Sequence, residues 1–95
     1  DADGAELKVG NHTKVTPEMV AKFVSKVEYR KQGDKSTVAT ATLANGFEVT
    51  VSASCVDAAN YNEALGRRLC DTRITDKVFE LLGFLLQSAR NGVNL

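Results

Sequence analysis

The sequence predicts an α+β domain made of a short N-terminal helix, an antiparallel three-stranded meander and a long C-terminal helix. Three observations carry that expectation. Thr16-Pro17-Glu18 reads as a helix start, β-branched alternation surrounds Asn45-Gly46, and apolar residues at helical spacing run from Tyr61 to Ala89 before Asn91-Gly92. With 95 residues, 43% of them hydrophobic and 25% charged, the chain has the composition of one small globular domain. A domain of this size buries only about two-thirds of the surface of its unfolded chain, so association would be a natural supplement.

Each element has a local cause. Residues 1–15 contain Gly4, Gly10 and Asn11 and sustain no period, so a flexible or loosely docked arm is expected ahead of a single domain over residues 16–92. At Thr16 a hydroxyl can accept a first-turn amide, Pro17 supplies a helical φ and Glu18 suits the positive helix end. Met19, Val20, Phe23, Val24 and Val27 then form a one-sided stripe. From Val27 the pattern alternates, Val27 and Tyr29 against Glu28 and Arg30, and Gly33-Asp34 turns the chain into a second strand over Thr37 to Leu43.

Asn45-Gly46 predicts a hairpin with a two-residue loop, because both residues tolerate the positive φ of a type I′ turn. Counting outward from that loop pairs Ala44 with Phe47, Thr42 with Val49, Thr40 with Val51 and Val38 with Ala53. Val38, Phe47, Val49 and Val51 would then share the face covered by helix. Phe47→Ala would in that case cost about 3–5 kcal/mol as a core truncation. The opposite face would be small and polar, either solvated or covered by a second subunit.

Asn60-Tyr61-Asn62-Glu63 has the form of a capping box ahead of the long helix, and Thr72 and Thr75 suggest a bend or break near residues 72–75. The last part of that helix is apolar on more than one side, which a three-stranded sheet could not cover. An interface between subunits is therefore expected there, carried by Val78, Phe79, Leu82, Leu85 and Leu86, in a dimer or higher homo-oligomer.

Several functions are excluded by counting. The longest apolar stretch, Leu81 to Leu86, is interrupted by Gly83 and is far short of the ~20 residues of a membrane helix. No basic start followed by an apolar run and a cleavage site is present, so a cytoplasmic location is expected. Cys55 and Cys70 are too few for a disulfide framework and are expected to be reduced. His12 has no partner at a metal-ligand spacing, so neither a metal nor a cofactor is expected. Gly33, Gly46, Gly66 and Gly83 are isolated and make no phosphate loop. No convergent acid–base or nucleophile set appears, and no catalytic residue is assigned. Twelve Lys+Arg against twelve Asp+Glu argues against nucleic-acid coating.

What remains is local. Arg67, Arg68 and Arg73, with Lys77 one turn beyond Arg73, are the candidates for meeting an anion, since guanidinium forks match phosphate geometry. The alternative is a solvated face with Glu63–Arg67 and Arg67–Asp71 pairs at i, i+4. Tyr61 and Tyr29 offer ring faces to a base, or simply pack. Cys55 lies where a strand meets a helix start and is either an activated thiol or a small residue at a tight corner.

The ordered motifs Leu43-Ala44-Asn45-Gly46-Phe47-Glu48-Val49-Thr50, Ser54-Cys55-Val56-Asp57-Ala58-Ala59-Asn60-Tyr61-Asn62, Gly66-Arg67-Arg68 and Asp76-Lys77-Val78-Phe79-Glu80-Leu81-Leu82-Gly83-Phe84-Leu85-Leu86 resemble a family of small tailed-phage proteins. The family is named for gene product 49 of coliphage N-four and gene 66 of Shigella phage Sf-six, and the resemblance spans roughly Thr16 to Leu86. Ala58 stands where the family usually has proline, and Leu82 where it usually has an acidic residue. The first loosens the loop before the helix, and the second makes the helix more apolar. The resemblance implies a phage or prophage accessory protein, cytoplasmic in the infected bacterium and without enzymatic activity. Phage anti-defence sponges share the layout of an antiparallel sheet followed by C-terminal helices, which implies sequestration of a nucleotide signal. A module that docks on a host or phage protein is the alternative.

Overall fold

The structure, a computed structural model, describes residues 14–94. In chain order it contains α1 (Pro17–Phe23), β1 (Val24–Gln32), β2 (Ser36–Leu43), β3 (Glu48–Ser54), a 3-10 turn (Ala58–Asn60) and α2 (Glu63–Asn91). The sheet is antiparallel in the order β1-β2-β3, the meander expected. Of the arm expected over residues 1–15, all but Lys14 and Val15 lie outside the described residues, as does His12; Val15 packs against the core.

α1 begins as its sequence dictates. The Met19 N–H donates to Thr16 Oγ1 at 3.3 Å, the Thr16 N–H reaches Met19 Sδ at 3.4 Å, and Pro17 occupies the first turn, where no donor is needed. The helix ends at Phe23, so Val24 and Val27 belong to β1 and not to the helical stripe. Two turns suffice to bury Met19, Val20 and Phe23 against α2.

The hairpin differs from the expected one by a single residue. The loop is Ala44-Asn45-Gly46: the Leu43 N–H donates to the Phe47 carbonyl at 2.8 Å, the Gly46 N–H donates to the Leu43 carbonyl at 2.9 Å, and Gly46 takes φ +88°. Asn45 Oδ1 accepts the Phe47 N–H at 3.0 Å, which fastens the turn from inside. One extra loop residue shifts every pair, giving Ala41↔Val49, Ala39↔Val51 and Thr37↔Ala53. Because side chains alternate, that slip sends the other half of β2 inward. Thr37, Ala39, Ala41 and Leu43 face the helices with Val49, Val51 and Ala53, while Val38 lies on the opposite face. Phe47 stands at the hairpin tip, 56% exposed. Phe47→Ala is therefore expected to change stability by less than about 1 kcal/mol, read by chemical denaturation, and not by the value of a core truncation.

α2 starts two residues later than the expected capping box. Asn62 Oδ1 accepts the Leu65 N–H at 3.0 Å, while Asp57 Oδ1 accepts the Ala59 N–H at 3.0 Å and caps the short turn before it. Asn60 closes that turn and does not cap α2. The helix is unbroken through residues 72–75, where the Thr72 hydroxyl bonds back to the Arg68 carbonyl at 3.1 Å. At 29 residues it is about 43 Å long, whereas the eight residues of β2 span about 27 Å. The helix outruns the sheet, and α1 covers what the sheet does not reach. Gly66, Cys70, Ile74, Val78, Leu82 and Leu86, spaced four apart, make one continuous buried stripe.

Candidate functional site

α2 packs on β2 and β3 but leaves β1 largely outside its cover, so the inward side chains of β1 line an open groove. Period-2 geometry puts Val27, Tyr29 and Lys31 on that side, opposite Ala41, Ala39 and Thr37 of β2. The N-terminal flank of α2 supplies Glu63, Arg67 and Asp71, and the connection before it supplies Tyr61. The resulting groove of about 320 Å³ is lined by Tyr29, Arg30, Lys31, Thr37, Tyr61, Glu63 and Arg67.

Two cation–ring contacts organise it. Lys31 Nζ lies 4.7 Å from the Tyr61 ring centroid, and Arg67 Cζ lies 4.8 Å from the Tyr29 ring centroid. Arg67 also donates to Glu63 Oε2 at 2.8 Å. The Arg67–Asp71 pair does not form; Asp71 instead accepts the Tyr29 hydroxyl. That hydrogen bond to the carboxylate, aided by burial, pushes the Tyr29 phenol above its ordinary value and anchors the ring. Tyr61 is held from below by Thr37, whose Oγ1 is 3.0 Å from the Tyr61 hydroxyl.

The floor is buried and the cations are exposed. Thr37 is buried, and its carbonyl lies 3.6 Å from the buried Cys70 thiol, whose pKa is raised by its surroundings. An exposed cation–ring contact contributes about 0.5–1 kcal/mol and an exposed ion pair about 0–1 kcal/mol. A charge-assisted hydrogen bond contributes about 1.5–3 kcal/mol, so Arg67 can turn from Glu63 toward an anionic guest at little net cost. The groove thus offers two aromatic faces and two cationic side chains, Lys31 and Arg67, to a flat and negatively charged molecule.

Of the four candidate ligand residues, Tyr61 and Arg67 are brought together here. Arg73 is on the opposite flank of α2, where its guanidinium donates to the Ser52 carbonyl of β3. Arg68 lies between these flanks, exposed on the side of the helix turned from the sheet. Lys31 is the groove residue that the sequence did not single out, and Tyr29, named there as a ring that could meet a base or simply pack, was not placed beside Arg67. Tyr29 and Arg30 stood in the expected strand, but only the path of α2 across β2 and β3 reveals that this edge stays open.

The residues expected at a subunit interface divide in the same way. Val78 and Leu82 are fully buried within the chain and Leu86 nearly so, all on the stripe against the core, and Phe79 is half-buried against it. Leu82 therefore adds to the core and not to an outer apolar face. Leu85 remains 40% exposed, beside Phe84 at 72%. With Phe23, Leu43, Phe47 and Leu81 these line a second groove, apolar and about 280 Å³, between the hairpin tip and the end of α2. Cys55 and Cys70 are both free thiols; Cys55 is half-buried, with Sγ 3.2 Å from the Asp57 carbonyl oxygen. The cavity beside Cys55 holds only about 50 Å³. Among the described residues no group of three His, Cys, Asp or Glu could hold a metal, and no helix is long and apolar enough to cross a membrane.

Fold and groove together define a small α+β protein that presents a tyrosine-lined cationic groove beside an open strand. The chain belongs to the phage protein (N4 Gp49/phage Sf6 gene 66) family, whose model matches residues 15–90. No curated protein and no solved structure matches it.

Proposed function

We propose that this phage-family protein acts by binding and not by catalysis, in the cytoplasm of the infected bacterium, as a homo-oligomer that sequesters a nucleotide signal and so antagonises host defence. The observation that carries this reading is the convergence of Tyr29, Tyr61, Lys31 and Arg67 on one groove. A base needs a ring face and a phosphate needs a fork of donors, and both lie within one groove there. The second reading, a module that docks on a host or phage protein, is favoured by the exposed Phe47, Phe84 and Leu85 around the apolar groove.

Native mass spectrometry of the protein recovered from infected cells separates the two. Sequestration predicts a retained mass of nucleotide size that is lost in Arg67→Ala and kept in Phe84→Ser. Docking predicts a co-purifying polypeptide with the opposite response. Protein recovered with neither contradicts both readings.

A further inference from the structure

The two edges of the sheet are not alike. The Leu43 N–H points to the β3 side, where it donates to the Phe47 carbonyl, so by alternation Thr42, Thr40, Val38 and Ser36 bond toward β1, to Lys26, Glu28, Arg30 and Gln32. Val27, Tyr29 and Lys31 must therefore turn their N–H and C=O groups outward. Among the described residues nothing bonds to those outward groups. On the far edge the Ser52 carbonyl is already taken by Arg73. An open edge is a template for another strand unless its side chains forbid it.

On β1 the solvent face reads Lys26, Glu28, Arg30, all exposed and alternating in sign. Their contacts stay within the strand: Lys26 to Glu28 at 4.0 Å, and Arg30 to Gln32. Such a pattern repels most strands and accepts its own copy in a shifted antiparallel register. We propose that a second copy of this chain pairs along the β1 edge about a two-fold axis at Tyr29, joining two three-stranded sheets into one.

In that register Tyr29 lies opposite the partner's Tyr29 and Val27 opposite the partner's Lys31. Glu28 lies opposite the partner's Arg30, twice by symmetry. These last are the non-hydrogen-bonded pairs, in which side chains come closest. A two-fold axis at Glu28 would oppose the partner's Glu28 and set Lys26 against the partner's Arg30. An axis at Val27 would run the pairing into the bulge between Val24 and Lys26, where the strand loses its regular geometry. The Tyr29 axis alone uses the regular part of β1 and pairs opposite charges.

The consequence for the groove rests on the nucleotide reading above; the pairing itself rests on the strand edge. At about 320 Å³ the groove is at the small end of the roughly 300–1,000 Å³ typical of ligand pockets. The partner's Tyr29 and Val27 would extend its floor on the open side, so that each site is completed by the other copy.

Sedimentation analysis of the intact chain over a range of concentrations tests the pairing. Wild type is expected to form a dimer. Glu28→Arg alone, or Arg30→Glu alone, is expected to weaken it about tenfold or more, because each sets like charges opposite one another twice. The double variant Glu28→Arg/Arg30→Glu restores opposite charges and should restore the dimer. Backbone amides of Val27, Tyr29 and Lys31 should exchange more slowly in the dimer than after dilution. A wild type that stays monomeric, a dimer indifferent to the single reversals, or a double variant no better than the singles would overturn the proposal. Titration of AMP and a cyclic dinucleotide into the same variants keeps the two ideas apart. Binding by a monomer leaves the nucleotide reading standing without the dimer, and a dimer that binds neither leaves the pairing standing without the nucleotide reading.

Discussion

Leu82→Ala is expected to destabilise the fold by about 2–5 kcal/mol, the largest effect of any single truncation on α2. Leu82 has no exposed surface and is among the largest fully buried side chains of the protein. It sits one turn beyond Val78 on the buried stripe. Removing its side chain leaves a cavity between elements that cannot easily close, because α1 is tied to the sheet by the Ala44 N–H bonding to the Phe23 carbonyl at 2.7 Å. A domain of marginal stability, about 5–15 kcal/mol, would lose a large part of it. Phe84→Ala, two residues away and 72% exposed, should leave stability within about 0.5 kcal/mol of wild type. Urea denaturation at low protein concentration checks both. If Leu82→Ala unfolds like wild type while losing association, Leu82 is at a subunit interface after all.

Gly66→Ala is expected to cost about 1–2 kcal/mol, against the usual rule for helices. Alanine inside a helix is favoured over glycine by about 1 kcal/mol, so in open space the change would stabilise. A Cβ at Gly66, however, would sit 2.3 Å from Thr37 Oγ1 and 3.0 Å from Thr37 Cβ. Rotating Thr37 relieves the first contact only by disturbing its bond to the Tyr61 hydroxyl, and it leaves the second untouched. Overpacking costs about 1–3 kcal/mol, and two contacts this short put it in the upper part of that range, so that about 1–2 kcal/mol of cost is left after the helix gain. α2 would have to lift from β2 at the end that carries Tyr61 and Arg67, so the groove should widen with the loss of stability. Adding Thr37→Ala removes Oγ1 and should return part of the stability. A Gly66→Ala protein more stable than wild type would show that helix and strand are not in close contact there.

These two positions also explain what could and could not be read from the sequence. The start of α1, the alternation of β1, the turn at Gly33-Asp34 and the existence of the long helix follow from local chemistry and were legible, whereas the start of α2 was placed two residues early. The hairpin register was not, because β2 alternates threonine, valine and alanine with little contrast between its faces. An Asn-Gly turn suits both a two-residue loop and a three-residue loop with Gly46 at positive φ. How the apolar part of α2 divides between the core and the surface was not legible either, for a related reason. The stripe that buries Val78, Leu82 and Leu86 is continued toward the N-terminus by Gly66 and Cys70, two small residues that do not announce a core. Seen without them, the apolar cluster looked like a surplus. In the groove, Arg67, Tyr61 and Tyr29 were legible as chemistry, but the meeting of Tyr61 with Lys31 and of Arg67 with Tyr29 depends on contacts between residues far apart in the chain.

The central claim is that a nucleotide binds between Tyr29 and Tyr61, and NMR of protein carrying labelled tyrosine rings tests it most directly. Titration with AMP and a cyclic dinucleotide should shift both ring resonances saturably for at least one of them. The shifts should vanish in Arg67→Ala, and the buried methyls of Val78 and Leu82 should stay in place throughout. Rings that respond to neither nucleotide, or binding that survives Arg67→Ala with the tyrosine resonances unmoved, would contradict it.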